Sequence, residues 1–134
     1  MALPDSIVLV VPARFDYIGD DSMYVNSTFF SEVKFVDSLG AYHDLSNYAE
    51  FAVWLKDKPE DDDADAVAIG QLVVDNATEG EAHVIFEAED LTKENKGQLW
   101  HSIHARTVSG YWLPLGWGIA NLHRMAGNPG YVAP

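Results

Sequence analysis

The stretch from Val84 to Leu122 limits the possible folds more than any other part of this chain. It reads Val84-Ile85-Phe86-Glu87-Ala88, a polar link containing Leu91, then Gly97-Gln98-Leu99-Trp100-His101-Ser102-Ile103-His104-Ala105. A turn at Ser109-Gly110 follows, and then Tyr111-Trp112-Leu113-Pro114-Leu115-Gly116-Trp117-Gly118-Ile119-Ala120-Asn121-Leu122. Aromatic and β-branched residues in short runs between turn residues specify strands, so three consecutive strands are expected here. Alternation assigns Val84, Phe86, Leu99 and Ile103 to a core. It puts Trp100 on the other face with Ser102 and His104, and Trp112 opposite Tyr111 and Leu113.

The rest of the chain repeats the pattern. Ile7–Val11 is a β-branched run that suits a short buried strand or an N-terminal arm on a neighbouring subunit. Ala13–Asn26 reads as irregular, with a turn cluster at Gly19-Asp20-Asp21-Ser22. Thr28–Val36 places Phe29, Ser31, Val33 and Phe35 on one face and Glu32 and Lys34 on the other. Tyr48–Lys56 sets Ala49, Phe51, Val53 and Leu55 against Glu50, Trp54 and Lys56. Ala66–Val74 carries Val67, Ile69 and Val73 on one face. Ala82–Ala88 carries Val84 and Phe86, with His83 and Glu87 opposite. Glu89–Lys96 is too short for an independent helix, so a single turn is expected, with Leu91 plugging one end. Met125–Pro134, with two glycines and two prolines, reads as a tail. The sum is about seven strands with turn signals about every ten residues, the signature of an antiparallel sandwich.

Composition narrows the functional classes. At 134 residues the chain fits one domain, and with 48% hydrophobic and 12% aromatic residues it can build a core without staples. Cysteine is absent, which removes disulfides, thiolate metal sites and thiol nucleophiles. A formal net charge of −13 repels phosphate backbones and anionic lipid surfaces, so neither nucleic acid nor membrane is an expected partner. Met1–Asp5 has no basic segment, and Ile7–Val11 is too short for a signal or a span. Synthesis in the cytoplasm is expected.

No motif specifies catalysis. A nucleophile elbow, a phosphate-binding loop and a dinucleotide fingerprint are all missing. His101 and His104, three apart on a strand, face opposite ways and do not ligate one metal. Asp57-Lys58-Pro59-Glu60-Asp61-Asp62-Asp63-Ala64-Asp65 offers carboxylate oxygens suited to Ca²⁺, yet lacks the glycine and distal glutamate of an EF-hand, and reads as a solvated acidic loop. Glu87, Glu89 and Asp90 match a glycosidase pair only as any acidic chain does. Trp100, Tyr111, Trp112 and Trp117 admit three roles: core packing, a protein interface, or a stacking platform for sugars.

The order of these features resembles the immunoglobulin-like β-sandwich of tailed-phage virion proteins, as in baseplate upper-protein N-terminal domains and capsid decoration proteins. The residues are Phe35-Val36-Asp37-Ser38-Leu39-Gly40, Gly80-Glu81-Ala82-His83-Val84-Ile85-Phe86, Gly97-Gln98-Leu99-Trp100, and Leu113-Pro114-Leu115-Gly116-Trp117-Gly118, spread over 28–122. The resemblance implies a non-enzymatic virion component without cofactors, binding a major capsid or tail protein as a homo-oligomer, a trimer being one form. The alternative is a carbohydrate-binding β-sandwich module. The expected organisation is an arm with a first short strand over 1–27, the sandwich over 28–125 and an extended tail over 126–134. The expected interface residues are Ile7, Leu9, Val11, Trp54, Trp100, Trp112 and Tyr131.

Overall fold

A computed structural model describes residues 7–11, 13–17, 23–91 and 97–123. Among them the chain forms nine strands: β1 Ile7–Val10, β2 Ala13–Arg14, β3 Met23–Tyr24, β4 Phe29–Val36, β5 Tyr48–Lys56, β6 Ala68–Asn76, β7 Glu81–Phe86, β8 Gln98–Thr107 and β9 Trp112–His123. Single 3-10 turns occupy Asp63–Asp65, Ala77–Glu79 and Ala88–Asp90, and the described residues contain no α-helix. The protein is all-β, as expected.

The strands run in the order β1-β4-β7-β6-β5-β8-β9-β2, with β3 also paired to β9. β1 and β2 sit at opposite ends of this order but are separated by only residues 11 and 12. The sheet therefore curls until its two edges meet at one N-terminal segment, giving a nearly closed, barrel-like body. β6 makes the bend on the other side. Ala68–Gly70 pair with β5, whereas Gln71–Asn76 pair with β7. Gly70 stands at the change of partner, where a Cβ would lie 2.8 Å from both the Ile85 carbonyl oxygen and the Phe86 ring.

Two expectations are corrected. The sheet is mixed, not purely antiparallel: β1 runs parallel to β4, and β2 and β3 run parallel to β9. The strand number is nine because two short pieces, β2 and β3, from the stretch Ala13–Asn26 that reads as irregular join the sheet. Of the two readings of Ile7–Val11, a strand or an arm, the strand forms: Ile7–Val10 pair with Val33–Val36 of the same chain, and Val11 N–H donates to the Val36 carbonyl. Val11 is half-buried against the core. The body thus begins N-terminal to residue 28. The tail from residue 126 onward lies outside the described residues.

The core follows the alternation of β4, β5, β7 and β8. Phe29, Val33, Phe35, Val53, Leu55, Ala82, Val84, Phe86, Leu99, Ile103 and Ala105 are buried together. Leu91 is fully buried behind the 3-10 turn, as expected of a plug. β6 departs from expectation. Ile69 and Val73 are exposed, and the inward set is Ala68, Leu72 and Val74. Pairing decides this: Leu72 opposes Val84 and Val74 opposes Ala82, so these four residues share the inward side. Tyr17, Met23 and Val25 also enter the core, although no period marked them.

Candidate functional site

The outer face of β5, β8 and β9 gathers the four tryptophans, Trp54, Trp100, Trp112 and Trp117. On β8 the alternation holds: Leu99, His101, Ile103 and Ala105 are buried, and Trp100, Ser102 and His104 are half-buried on the other side. The register then builds rows across the face. Ser102 lies between Trp54 of β5 and Trp117 of β9, Trp100 between Lys56 and Ile119, His104 between Ala52 and Pro114, and Arg106 between Glu50 and Trp112. Ser102, the smallest side chain of its row, is therefore ringed by Trp54, Trp117, Trp100 and His104.

A β-bulge completes this face. Strict alternation along β9 sends Trp112 and Trp117 to opposite sides. The register shifts between Ile103 and His104, so that Ile103 opposes Gly116 but His104 opposes Pro114. Leu115 and Gly116 are consecutively buried at that step. An extra residue in one strand re-aims the side chains beyond it. Trp112 and Trp117 therefore share the outer face.

Around Ser102 the surface is concave. A groove of about 390 Å³ is lined by Lys56, Trp100, Ser102, His104, Pro114 and Trp117 of the sheet, and by Pro59 and Asp63 of the loop that follows β5. This acidic loop supplies the second wall. Lys56 Nζ donates to the Asp61 carbonyl at 2.9 Å and to the Asp63 carboxylate at 2.7 Å, tying the loop to the sheet. Lys56 Nζ also stands 5.3 Å from the centre of the Trp54 ring, which packs edge-to-face with His104 at 5.2 Å between ring centres. Trp54 thus supports the groove by packing against it.

The electrostatics of this face are balanced. Arg14 meets Asp16, Lys56 meets Asp63 and Arg106 meets Glu50. Burial lowers the pKa of His104; Asp63 opposes the shift and Lys56 adds to it. At neutral pH the groove therefore presents an uncharged imidazole among paired ions.

Beneath the face lies a residue that sequence reasoning left unassigned. His101 is buried on the core side with its ring against Phe15 and Tyr17, and its Nε2 is 2.7 Å from the Phe15 carbonyl oxygen. Burial pushes its pKa down to about 4, against smaller opposing contributions from the Phe15 carbonyl and Asp16. The neutral ring therefore carries its proton on Nε2 and donates to Phe15. That places β2 and its continuation over Gly118, where a Cβ would fall 1.8 Å from the Phe15 oxygen.

At one end of the face, the β8–β9 hairpin projects beyond the core. Val108 is 78% exposed, Tyr111 70%, Trp112 47% and Leu113 43%. Of the expected interface residues, Trp112 lies here, Trp100 lines the groove and Trp54 supports it. Ile7 and Leu9 lie in β1, away from this face, and Tyr131 lies outside the described residues. No group of three or more His, Asp or Glu that could hold a metal ion occurs among the described residues.

No protein-family model matches the chain, and no curated protein matches it. A similar solved structure is the R347E mutant of the SrpA adhesin from Streptococcus sanguinis, at 13% identity and a TM-score of 0.41. The likeness covers 92% of this chain and 59% of that one, and no functional argument rests on it.

Proposed function

We propose that this protein is a non-enzymatic structural component of a phage virion that docks on a coat or tail protein through the tip of the β8–β9 hairpin. Decoration of the capsid lattice is the favoured form, and a small tail or baseplate component is the other. The observation that carries the reading is the tip itself. Val108, Tyr111, Trp112 and Leu113 are four large apolar side chains at one projecting end, spread over both faces of the hairpin and all well exposed. Scattered exposed apolar residues need no explanation, but large apolar and aromatic residues concentrated at one tip have the composition of an interface hot spot. The sequence resemblance over residues 28–122 supplies the virion context. Copies repeated on a symmetric lattice gain avidity from a modest contact.

The test is the location of the protein in purified particles, followed by rebinding to particles that lack it. Labelling on the shell or tail, with binding lost in the double variant Trp112→Ser, Leu113→Ser, is the expected result. A monodisperse monomer that binds no shell or tail assembly overturns the proposal.

A further inference from the structure

We propose that the groove between Trp100, Trp117 and the acidic loop is a binding site for a short neutral saccharide. This site is separate from the hairpin tip, so the inference goes beyond docking and stands or falls independently of it.

A pyranose has two kinds of surface: apolar C–H faces, and a rim of hydroxyls that both donate and accept hydrogen bonds. A site for it needs an aromatic wall for the faces and short polar groups for the rim. The groove has both. Trp100 and Trp117 supply the rings, and Ser102, in the row of Trp117 and next to Trp100 along the outer face of β8, supplies a hydroxyl at the floor. His104 adds an imidazole ring to the lining. The Lys56–Asp63 pair adds a donor and an acceptor beside Trp100. The volume of about 390 Å³ falls in the lower part of the usual small-ligand range of about 300–1,000 Å³.

Charge selects among saccharides. The whole chain carries −13, which repels uronates and sialylated glycans. Three cations of this face, Arg14, Lys56 and Arg106, are each paired with a carboxylate, which reduces what they offer to offset that repulsion. A neutral ligand meets neither obstacle. A lipid tail suits the groove less well, because it offers the Ser102 hydroxyl no hydrogen-bond partner and takes the Lys56–Asp63 ion pair out of water.

The groove is also held in shape before any ligand arrives. Lys56 fixes the loop wall through two hydrogen bonds, and Trp54 braces His104. Such preorganisation lowers the entropic cost of binding.

The test is a titration of the intact protein with four neutral probes, the tetrasaccharides of glucose in α and β linkage, of mannose and of galactose, each to about 10 mM, the range in which weak lectin-like affinities register. Tryptophan indole N–H resonances are the readout. At least one probe is expected to shift the Trp100 and Trp117 signals. Trp117→Ala is expected to weaken that binding about tenfold, the scale of one lost ring stack. Ser102→Leu, which fills the floor and keeps both rings, abolishes it, whereas Trp112→Ala leaves it unchanged. The proposal is overturned if none of the four probes shifts these signals. It is equally overturned if the shift survives in Ser102→Leu, or if sialylated or uronate oligosaccharides bind more tightly than the neutral ones. Particle binding that is lost in Ser102→Leu without any saccharide response assigns the groove to a protein partner and likewise overturns it.

Discussion

His101 and Gly118 show how single residues hold the N-terminal segment against the sheet. His101 donates to the Phe15 carbonyl from inside the core, and Gly118 leaves the space into which that carbonyl descends. Alanine at 118 puts a methyl group 1.8 Å from the Phe15 oxygen and 2.6 Å from an Asp16 carboxylate oxygen. Gly118→Ala is expected to cost about 3 kcal/mol, from overpacking and a displaced hydrogen bond, read from urea denaturation. His101 makes the same junction sensitive to acid. Its pKa falls from 6.5 to about 4 on folding, so below pH 6.5 the unfolded chain binds more protons than the native one. Stability attributable to His101 is complete above that pH and drains as the pH drops from 6.5 towards 4, by about 3 kcal/mol in all. His101→Gln keeps a donor near the Nε2 position and removes the titration. Its stability is expected to fall less steeply than wild type between pH 7 and 4.5, and parallel curves for the two proteins contradict the assignment.

At the scale of elements, the strands with clean alternation were legible and the ones that change partner were not. β7 and β8 bury the residues their sequence patterns select, because each runs between the same two strands; β4 buries its selected residues too, with Lys34 and Val36 buried besides where β1 joins it. β6 fails this condition at Gly70, where its partner changes from β5 to β7, and its apolar odd positions Ile69 and Val73 end outside. β9 fails it at the bulge, which unites Trp112 and Trp117 on one face. Neither event leaves a mark in the local pattern, since both are set by partners distant in sequence. Tyr17 pairs with Ala120 through an isolated bridge, too short to impose a period. The acidic loop carried a signal that charge alone obscured: a lysine closing an alternating strand just ahead of a run of carboxylates. Lys56→Met is expected to release Asp61–Ala66 from the sheet. Stability should fall by only about 1 kcal/mol, because the Asp63 partner is largely solvated. Amide exchange in the loop should rise well above wild type while β8 remains protected, and unchanged exchange rules out the proposed tether.

For the whole molecule, the decisive feature is that one short N-terminal segment joins both ends of the strand order. β1 pairs with β4 at one end, and β2 and Tyr17 run along β9 at the other. An arm that served only assembly would be dispensable to the isolated protein. A segment that closes the sheet is not, because its loss uncovers two rows of unpaired backbone groups at once, and open edges template association between chains. Deleting residues 1–11 tests one of these two edges while leaving β2 and Tyr17 in place. It removes the pairing of Ile7–Val10 with Val33–Val36 and the Val11 bond to Val36, and it exposes the free side of β4. The truncated protein is expected to unfold at a markedly lower urea concentration and to self-associate as concentration rises. A truncated protein as stable and as soluble as the full chain returns residues 7–11 to the role of an assembly arm. That outcome moves the search for the docking surface from the β8–β9 hairpin to the N-terminus.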